Sequence, residues 1–347
     1  MKILHLPTSV GGQSWGLSQA EKELGLESEV LIVKQNWLKY KCDYNLNLQD
    51  VSFIKQVIVL CRWFKIAKEN YDVLHFNYGS SLLDFQKIGL VLLDLPFYSK
   101  KQKLIFTYNG SDARGVHPIE YWDEIENPKK SLYRSIVKVV KKYKIRKVEK
   151  YADHIFALNP DLLHYLPAKA TFLPYSISNW NDIKKSPYEV KDKIKIIHSP
   201  TSREFKGSDY ILDALERLEK KYSNIEIQII ENIPNEEALV LYQEAHLVID
   251  QVLIGWYGGF AVEVMKMGKP LAVFIREEDL KFIPSEMAVD LKDAIIQITP
   301  FNIENVLSQY IENIQLLNSK SLKSLDYVEK WHNPRHVAEE VKKVYER

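Results

Sequence analysis

Cysteines are scarce in this chain, and several other features that mark common protein classes are missing. Cys42 and Cys61 are the only cysteines among 347 residues, and their spacing forms neither a C-x-x-C pair nor a disulfide framework. No run of about 18 apolar residues exists, so no segment is predicted to span a membrane. The first residues, MKILHLPTSVGG, have too short an apolar run for a signal peptide. We therefore expect a cytoplasmic protein from a reducing compartment.

An excess of charge of one sign is also missing. The sequence contains 47 Lys and Arg against 46 Asp and Glu, so the overall balance predicts no nucleic-acid partner. It contains no G-x-G-x-x-G fingerprint, which disfavours an NAD enzyme. Neither a DxD motif nor a pair of acids indicates a metal site. Hydrophobic residues make up 46% of the chain, enough for ordinary cores, and the length predicts two domains.

The strongest functional pattern lies between residues 249 and 270, which have the sequence IDQVLIGWYGGFAVEVMKMGKP. A short apolar strand, a glycine-rich loop with Gly258 and Gly259, and a helix follow one another. Glu263 falls on the apolar stripe of that helix, in about its first turn, where the helix dipole favours an anion. The glycines let a phosphate approach the free N–H groups, and a carboxylate suits ribose hydroxyls. The alternative is a structural Glu263 paired with a neighbouring Arg or Lys.

The N-terminal half predicts a mostly parallel sheet covered by helices on both faces. A first strand, a turn that ends at Gly12 and a helix that starts at Ser14 form a βαβ unit with the next strand. A plain tight turn is the alternative explanation of the Gly11-Gly12 pair. The strands are predicted at Lys2 to Leu6, Glu29 to Val33, Val73 to Phe76, Leu104 to Thr107, and His154 to Leu158.

A polar segment follows the predicted strand that ends at Thr107. It has the sequence Asn109-Gly-Ser-Asp112-Ala-Arg114. Because ligands of such sheets bind beyond the carboxyl ends of the strands, this segment is a candidate for ligand binding. In the alternative, Asp112 closes an Asx turn on its own backbone. His117 offers an imidazole to the site or is simply solvated.

The C-terminal half begins after a polar linker at 175–193. A strand at Ile194 to Ile197 leads to a turn that contains Arg203 and Lys206, with Ser208 or Asp209 expected to cap the next helix. A diphosphate suits this arrangement, because Arg forms bidentate bonds and Lys supplies a point charge. The alternative is a solvated basic turn. Further strands are predicted at Ile225 to Ile230, His246 to Ile249, Leu271 to Phe274 and Ile295 to Ile298, and helices at Asn235 to Glu244, Asn302 to Leu317 and Val328 to Tyr345.

Positive charge is concentrated between Lys129 and Lys150. This segment holds ten Lys or Arg and one acid, Glu149, which leaves the rest of the chain at about −8. Apolar residues recur at helical spacing within it. An amphipathic basic helix of this kind is typical of contact with an anionic membrane surface. The alternative is a helix that packs on the sheet through its apolar face and leaves its lysines in water.

Taken together, these motifs resemble the retaining glycosyltransferases of family 4, which have the GT-B fold. The opening MKILHLP…GG, the segment NGSDAR and the closing MKMGKP are similar to that family's opening, its HGSD.R segment and its "MA.G.P" motif. The resemblance implies that Glu263 binds a ribose. It implies that Arg203 and Lys206 bind the donor phosphates, that Glu231 lies near the base, and that Gly12 faces the donor. Asn109 and Asp112 would belong to the catalytic site.

Two departures from the family pattern stand out. Asn109 occupies the position where the family often has His, and Gly255 occupies the position of a second Glu that lies next to the donor sugar. Three functions therefore remain open at this point. One is metal-independent transfer of a sugar, with retention, from a nucleotide-diphosphate sugar to a glycan or lipid-linked acceptor. The second is an epimerase or hydrolase that uses the same donor site. The third is a non-catalytic binder of a sugar nucleotide.

The fold implied by the resemblance is two doubly wound α/β domains that face a cleft. The N-terminal, acceptor-side domain is expected at 1–175, the donor-binding domain at 190–325, and a helix that crosses back to the first domain at 326–347. The expected donor is a UDP-sugar, bound without a metal or other cofactor. The predicted location is cytoplasmic, with peripheral contact to the inner membrane face through Lys129 to Lys150.

Overall fold

The computed structural model describes residues 1–35, 40–114, 131–186 and 188–347, and these residues form two compact units. The first unit takes the described residues up to Ser178 and the C-terminal segment Pro334–Arg347. The second unit covers Asn179–Asn333 within the described ranges. Each unit has one parallel sheet with helices around it. This confirms the predicted class, an α/β protein with two Rossmann-like sheets. His117, Lys129 and Lys130, named above as candidates, lie outside the described residues.

The first unit contains a seven-stranded sheet in which every described strand pair is parallel. The strand order reverses between β1 and β4, as in the doubly wound dinucleotide-binding fold. Loops beyond the carboxyl ends of these two strands are where such sheets bind ligands. The strands are β1 (Lys2–Leu6), β2 (Glu27–Ile32), β3 (Tyr44–Asn45), β4 (Val73–Asn77), β5 (Lys103–Tyr108), β6 (His154–Ala157) and β7 (Ala170–Phe172), in the order β3-β2-β1-β4-β5-β6-β7.

Alternate residues of these strands feed two separate cores, one on each face of the sheet. On one face, Ile3 and Val73 pack with Leu17 of α1 (Gln13–Glu23) and Val337 of α11 (Pro334–Tyr345). On the other face, Leu4, Leu74 and Phe106 pack with the helices α2 (Phe53–Asn70) and α3 (Ser131–Tyr151) and with the segment 82–98.

The C-terminal helix α11 is tied to this unit by a chain of buried polar side chains. The hydroxyl of Tyr345 donates to Glu21 (2.8 Å) and lies 2.6 Å from Nδ1 of His75. Glu21 also accepts from Ser28 (2.6 Å) and lies 2.8 Å from Nε2 of His5. Because each of these groups is buried and has a partner, the helix is held by specific bonds as well as by apolar packing.

The second unit contains a five-stranded parallel sheet in the order β12-β11-β10-β8-β9. The order reverses between β8 and β10, so the loops after these two strands form its expected ligand edge. Its strands are β8 (Ile194–His198), β9 (Ile225–Ile229), β10 (Leu247–Ile249), β11 (Leu271–Val273) and β12 (Ile296–Gln297), and its helices are α4 (Arg203–Lys206), α5 (Ser208–Lys221), α6 (Asn235–Tyr242), α7 (Gly259–Lys266), α8 (Ser285–Ala294), α9 (Ile303–Glu312) and α10 (Ile314–Trp331).

Two predicted helices are interrupted in the structure. The helix expected at Asn302 to Leu317 ends at Glu312, and α10 begins after Asn313, whose side-chain oxygen accepts from the N–H of Gln315 (3.1 Å). The helix expected from Val328 to Tyr345 is also divided, because α10 ends at Trp331 and α11 starts at Pro334. Proline has no N–H to continue a helix but fits the first position of a new one. Among the described helices, none combines the length and apolar character needed to cross a bilayer.

Candidate donor-binding site

The ligand edge of the second unit is built around the start of α7. Gly258 is the residue before the helix, and a side chain added to it would meet nothing within 4 Å. Open space therefore lies directly in front of a helix N-terminus, where N–H groups lack partners within the helix. Gly259 is the first residue of the helix, and Gly268 ends it with a positive φ of 75°. The glycine-rich loop and its following helix are thus present as predicted from the sequence.

Glu263 lies one turn into α7 and is held by two asparagines. Its carboxylate accepts from Nδ2 of Asn179 (3.0 Å) and from Nδ2 of Asn235 (3.3 and 3.4 Å). No Arg or Lys pairs with it among the described residues, so the ion pair weighed as the alternative is not found. Burial raises the pKa of Glu263 to about 7, while the two amide donors act in the opposite direction. Within the described part of the chain the carboxylate is positioned by neutral donors, without an opposite charge to neutralise it.

A buried aspartate connects the basic turn to the glycine loop. Nζ of Lys206 forms an ion pair with Oδ1 of Asp250, and Oδ2 of Asp250 accepts from the N–H of Gly258 (3.3 Å). The Asp250 side chain is fully buried directly after β10. Lys206 and the N-terminus of α7 therefore meet at one carboxylate, at the point where the strand order reverses. This places two of the predicted phosphate-binding groups side by side.

Arg203 and Glu231 were expected to contact the phosphates and the base separately, but they contact each other. Nε and Nη2 of Arg203 bond the two carboxylate oxygens of Glu231 at 2.8 and 2.5 Å. The Arg203 side chain is 53% exposed, so this pair is solvated and contributes little to stability. The next helix also begins differently from the prediction: Gly207, with φ of 70°, precedes it, and the hydroxyl of Ser208 bonds Nε2 of His198 (2.8 Å) instead of capping the helix.

Gly255 occupies the position where family 4 often has a glutamate, and its backbone explains the glycine. Its φ is 83°, a conformation that L side chains rarely adopt. A Cβ there would also lie 3.0 Å from Cβ of Arg276. The loop is braced by the buried amide of Gln251, which donates to the carbonyls of Trp256 (3.0 Å) and Phe274 (2.7 Å). A glutamate at 255 would require a different loop conformation.

In the first unit, Gly12 is the residue before α1, at the carboxyl end of β1. Its φ is 70°, and a Cβ there would lie 2.4 Å from Oγ of Ser178 and 3.0 Å from Cδ1 of Tyr40. Both the backbone conformation and the crowding require glycine at this position. This gives the Gly11-Gly12 pair a structural explanation, and a contact between Gly12 and the donor stays a prediction.

The segment from Asn109 to Arg114 folds back on itself. Asp112 accepts from the backbone N–H groups of Gly110 (2.7 Å) and Asn109 (3.1 and 3.2 Å). As in the alternative considered above, it bonds its own backbone, but to residues that precede it and not in an Asx turn. Arg114 forms a bidentate pair with Asp161 at 2.6 and 3.0 Å. Oδ1 of Asn109 is buried and has no hydrogen-bond partner among the described residues. Within the described residues the side-chain oxygen of Asn109 therefore takes no part in this turn, whereas Asp112 closes it. A role of either residue in ligand binding stays a prediction.

The structure adds three residues that sequence reasoning missed: Asp250, Asn179 and Asn235. Asp250 is separated from its partner Lys206 by 44 positions, and Asn179 from Glu263 by 84. No sequence motif marks them. The signal that was present is their position, because Asp250 and Asn235 each lie where a predicted strand or loop gives way to the next element.

His5, Glu21 and His75 form the one group in the described residues whose ligand atoms could surround a metal ion, all within 4.8 Å of one another. They are the buried side chains that hold α11. Glu21 already accepts three hydrogen bonds, and His75 bonds Tyr345 and Thr107. Hydrogen bonding accounts for this group, and metal-independent action at the donor site stays a prediction.

The raised pKa of Glu263 predicts a pH-dependent effect of Glu263→Gln on stability. Between pH 4.5 and about 7 the folded protein keeps a proton that the unfolded chain has lost, so wild-type stability falls as pH rises through this range. Glutamine does not titrate. We expect equal melting temperatures at pH 4.5 and a more stable variant at pH 8, by about 1–3 kcal/mol. Thermal unfolding of wild type and Glu263→Gln in both buffers measures the difference in stability. A difference that is the same at the two pH values would contradict the prediction.

Comparisons with known proteins identify the fold but no family. No family model matches the chain, and no curated relative matches its sequence. Among solved structures, a sucrose-phosphate synthase from Thermosynechococcus elongatus superposes with a TM-score of 0.63 at 13% identity, covering 100% of this chain and 98% of that one. HepE from Anabaena in complex with UDP-glucose gives 0.62 at 12% identity, covering 100% and 99%.

A third structure, described as a UDP-N-acetylglucosamine 2-epimerase from Listeria monocytogenes, gives a TM-score of 0.54 at 15% identity and covers 99% of this chain and 94% of that one. These similarities extend over the whole chain, and two of the three proteins are named with a UDP-sugar as ligand or substrate. At such low identity they show the fold alone. The chain therefore has the GT-B fold of nucleotide-sugar glycosyltransferases and related enzymes.

Proposed function

We propose that the protein is a retaining, metal-independent glycosyltransferase of the family 4 type that transfers a hexose from a UDP-sugar. One observation carries the proposal. Lys206, the open N-terminus of α7 and the carboxylate of Glu263 lie together at the edge where the strand order of the second sheet reverses. Phosphates suit the first two groups, and the hydroxyls of a ribose suit the third.

In this reaction the bond between C1 of the sugar and the diphosphate oxygen breaks, and a bond from C1 to an acceptor oxygen forms. The electron pair of the broken bond leaves with the diphosphate as negative charge, and the diphosphate then takes up the proton that the acceptor hydroxyl loses. Lys206 and the N–H groups of α7 would stabilise that charge, because preorganised donors act most strongly where charge develops. Asp250 keeps Lys206 in place before the donor binds. Glu263 would fix the ribose and thereby the position of C1.

The identity of the donor and the acceptor follows from weaker observations. UDP is favoured because HepE is described with UDP-glucose and has the same fold. A glycan or lipid-linked acceptor, as in polysaccharide or lipopolysaccharide biosynthesis, is favoured by the basic helix α3, which would bring the protein to the inner face of a membrane. Asn109, whose Oδ1 has no hydrogen-bond partner in the ranges that the structure describes, is the acceptor-side candidate in the first unit.

A sugar-nucleotide epimerase or hydrolase is the second candidate, favoured by the similarity to the Listeria epimerase structure. Incubation with UDP-hexoses, with and without glycan and lipid-linked acceptors, separates the possibilities. Transfer predicts release of UDP that depends on the acceptor and a product with the donor's anomeric configuration. Release of UDP without an acceptor would indicate a hydrolase. Conversion of the sugar to its epimer while it stays attached to UDP would indicate an epimerase. UDP binding without any turnover would indicate a binding protein.

A further inference from the structure

The layer formed by α2, the segment 82–98 and α3 has an unusual outer surface. These three elements pack side by side on one face of the first sheet. Phe53 of α2 contacts Phe85 (ring centroids 5.4 Å apart), Lys144 of α3 pairs with Asp84 (2.8 Å), and Lys147 donates to the carbonyl of Val91 (2.9 Å). Leu60, Leu92 and Ile145 fill the core beneath them. We call this layer, with its outward side chains, the outer face.

Large apolar side chains are concentrated on the outer face. Eighteen large hydrophobic residues are exposed in the part of the chain that the structure describes, and ten of them lie on these three elements. Ile54 is 74% exposed, Val139 68% and Phe97 62%. Scattered exposed apolar residues are ordinary, but a concentration on one layer marks an interaction surface. The ten are Phe53, Ile54, Ile58, Ile88, Leu90, Phe97, Ile136, Val139, Val140 and Tyr143.

On α3 the apolar stripe points away from the sheet. Ile136, Val139, Val140 and Tyr143 recur at i, i+3, i+4 and i+7, and all are exposed. The helix packs on the core through a different stripe that contains Ile145 and Val148. The sequence left open that the apolar side chains of this helix pack on the sheet. This is true of the stripe with Ile145 and Val148 but not of the exposed stripe from Ile136 to Tyr143.

The charge of the outer face selects the partner. Among the side chains that the structure describes on the outer face and on the adjoining residues 99–101, nine exposed Lys or Arg face only two exposed acids, Glu69 and Glu149. Three lysines of α3 turn inward instead, because Lys141, Lys144 and Lys147 bond the protein itself. The nine basic residues are Lys55, Arg62, Lys65, Lys68, Lys100, Lys101, Lys142, Arg146 and Lys150. Two copies of such a face would repel each other, whereas an anionic lipid surface attracts both its charges and its apolar groups.

We infer that the outer face docks on an anionic lipid bilayer, with apolar side chains from all three elements inserted at the level of the headgroups. The sequence alone predicted a single amphipathic basic helix at the membrane. The structure points instead to a composite surface, in which side chains of α2 and of the segment 82–98 insert together with those of α3, independently of any reaction at the donor site. Salt should therefore weaken binding without abolishing it, since screening acts on the charges only.

Flotation of the full-length protein with phosphatidylcholine vesicles, with and without phosphatidylglycerol, tests the inference. Wild type should float more strongly with the anionic vesicles than with the neutral ones, and should keep part of that binding at high salt. The variant Ile54→Ser/Val139→Ser should lose about tenfold or more in partition coefficient, because two exposed aliphatic groups no longer insert. Its matched control is Val240→Ser/Val289→Ser, which changes residues of similar exposure (60% and 68%) in the second unit and should float like wild type.

A charge pair of variants completes the design. Lys142→Glu/Arg146→Glu should release the protein from anionic vesicles, whereas Lys193→Glu/Lys281→Glu, with the same change in net charge on exposed residues of the second unit, should not. Melting temperatures measured in parallel show that each variant is folded. UDP affinities measured in parallel distinguish a loss of membrane binding from a defect at the donor site. The inference is overturned if wild type ignores anionic vesicles at low salt, or if the serine variant floats as well as its control. A dimer that Ile54→Ser/Val139→Ser dissociates, without vesicle binding, would assign the face to a second copy instead.

Discussion

Replacing Glu263 with alanine is expected to weaken UDP binding by about ten- to a hundredfold while the fold stays intact. The carboxylate would accept a charge-assisted hydrogen bond from a ribose hydroxyl, and such bonds contribute roughly 1.5–3 kcal/mol. Asn179 and Asn235 hold the side chain in place at 3.0–3.4 Å, so little is lost on binding to order it. Because Glu263 has no cationic partner among the described residues, its removal leaves no unpaired charge behind.

Calorimetric titration with UDP and with 2′,3′-dideoxy-UDP isolates this contact. Wild type should prefer UDP strongly, and Glu263→Ala should bind the two ligands almost equally. The pKa of about 7 adds a second signature, since affinity for UDP should fall below pH 7 as the carboxylate gains a proton. Glu263→Gln should remove that pH dependence. Equal affinity of wild type and Glu263→Ala for UDP would exclude Glu263 from the site.

The strands and the donor loop could be predicted from the sequence because each leaves a local signal. Short apolar runs such as Leu247 to Ile249 are buried on both faces of a parallel sheet, which produces a continuous hydrophobic stretch. The turn from Gly258 into α7 is marked by its glycines and by the acid that follows. These signals depend only on residues close together in the sequence, so they can be recognised without knowledge of the fold.

What could not be predicted depends on contacts distant in sequence. The interruption before Pro334 is an exception, because the proline is a local signal that the apolar periodicity on both sides of it outweighed. The pairing of Arg203 with Glu231 was missed because each residue sits at a separate strand end, and only the sheet order makes them neighbours. The outer face could not be predicted either, because it depends on distant contacts. The amphipathic pattern shows that α3 has an apolar stripe, but which stripe contacts the core depends on the packing of the whole unit.

Removal of the Lys206 charge should weaken binding of UDP much more than binding of uridine. A single Lys206→Met substitution is a poor test, because it leaves the fully buried Asp250 without its cation, a situation that costs about 3–5 kcal/mol of stability. The informative comparison is Lys206→Met/Asp250→Asn against Asp250→Asn. In that pair the buried carboxylate of Asp250 is absent from both proteins, and the asparagine still offers an oxygen to the N–H of Gly258.

Relative to Asp250→Asn, the double variant should lose about ten- to a hundredfold in UDP affinity, since one charge-assisted contact to the diphosphate disappears. Uridine lacks the diphosphate, so its affinity should change by less than about twofold. Titration calorimetry at low and moderate salt measures both ligands. Equal losses for UDP and uridine would mean that Lys206 supports the fold of the site and not the phosphates.

If the cation and the α7 N-terminus replace a metal, EDTA should leave UDP affinity and turnover unchanged. Loss of turnover in EDTA that Mg²⁺ restores would show that the leaving diphosphate needs a metal ion.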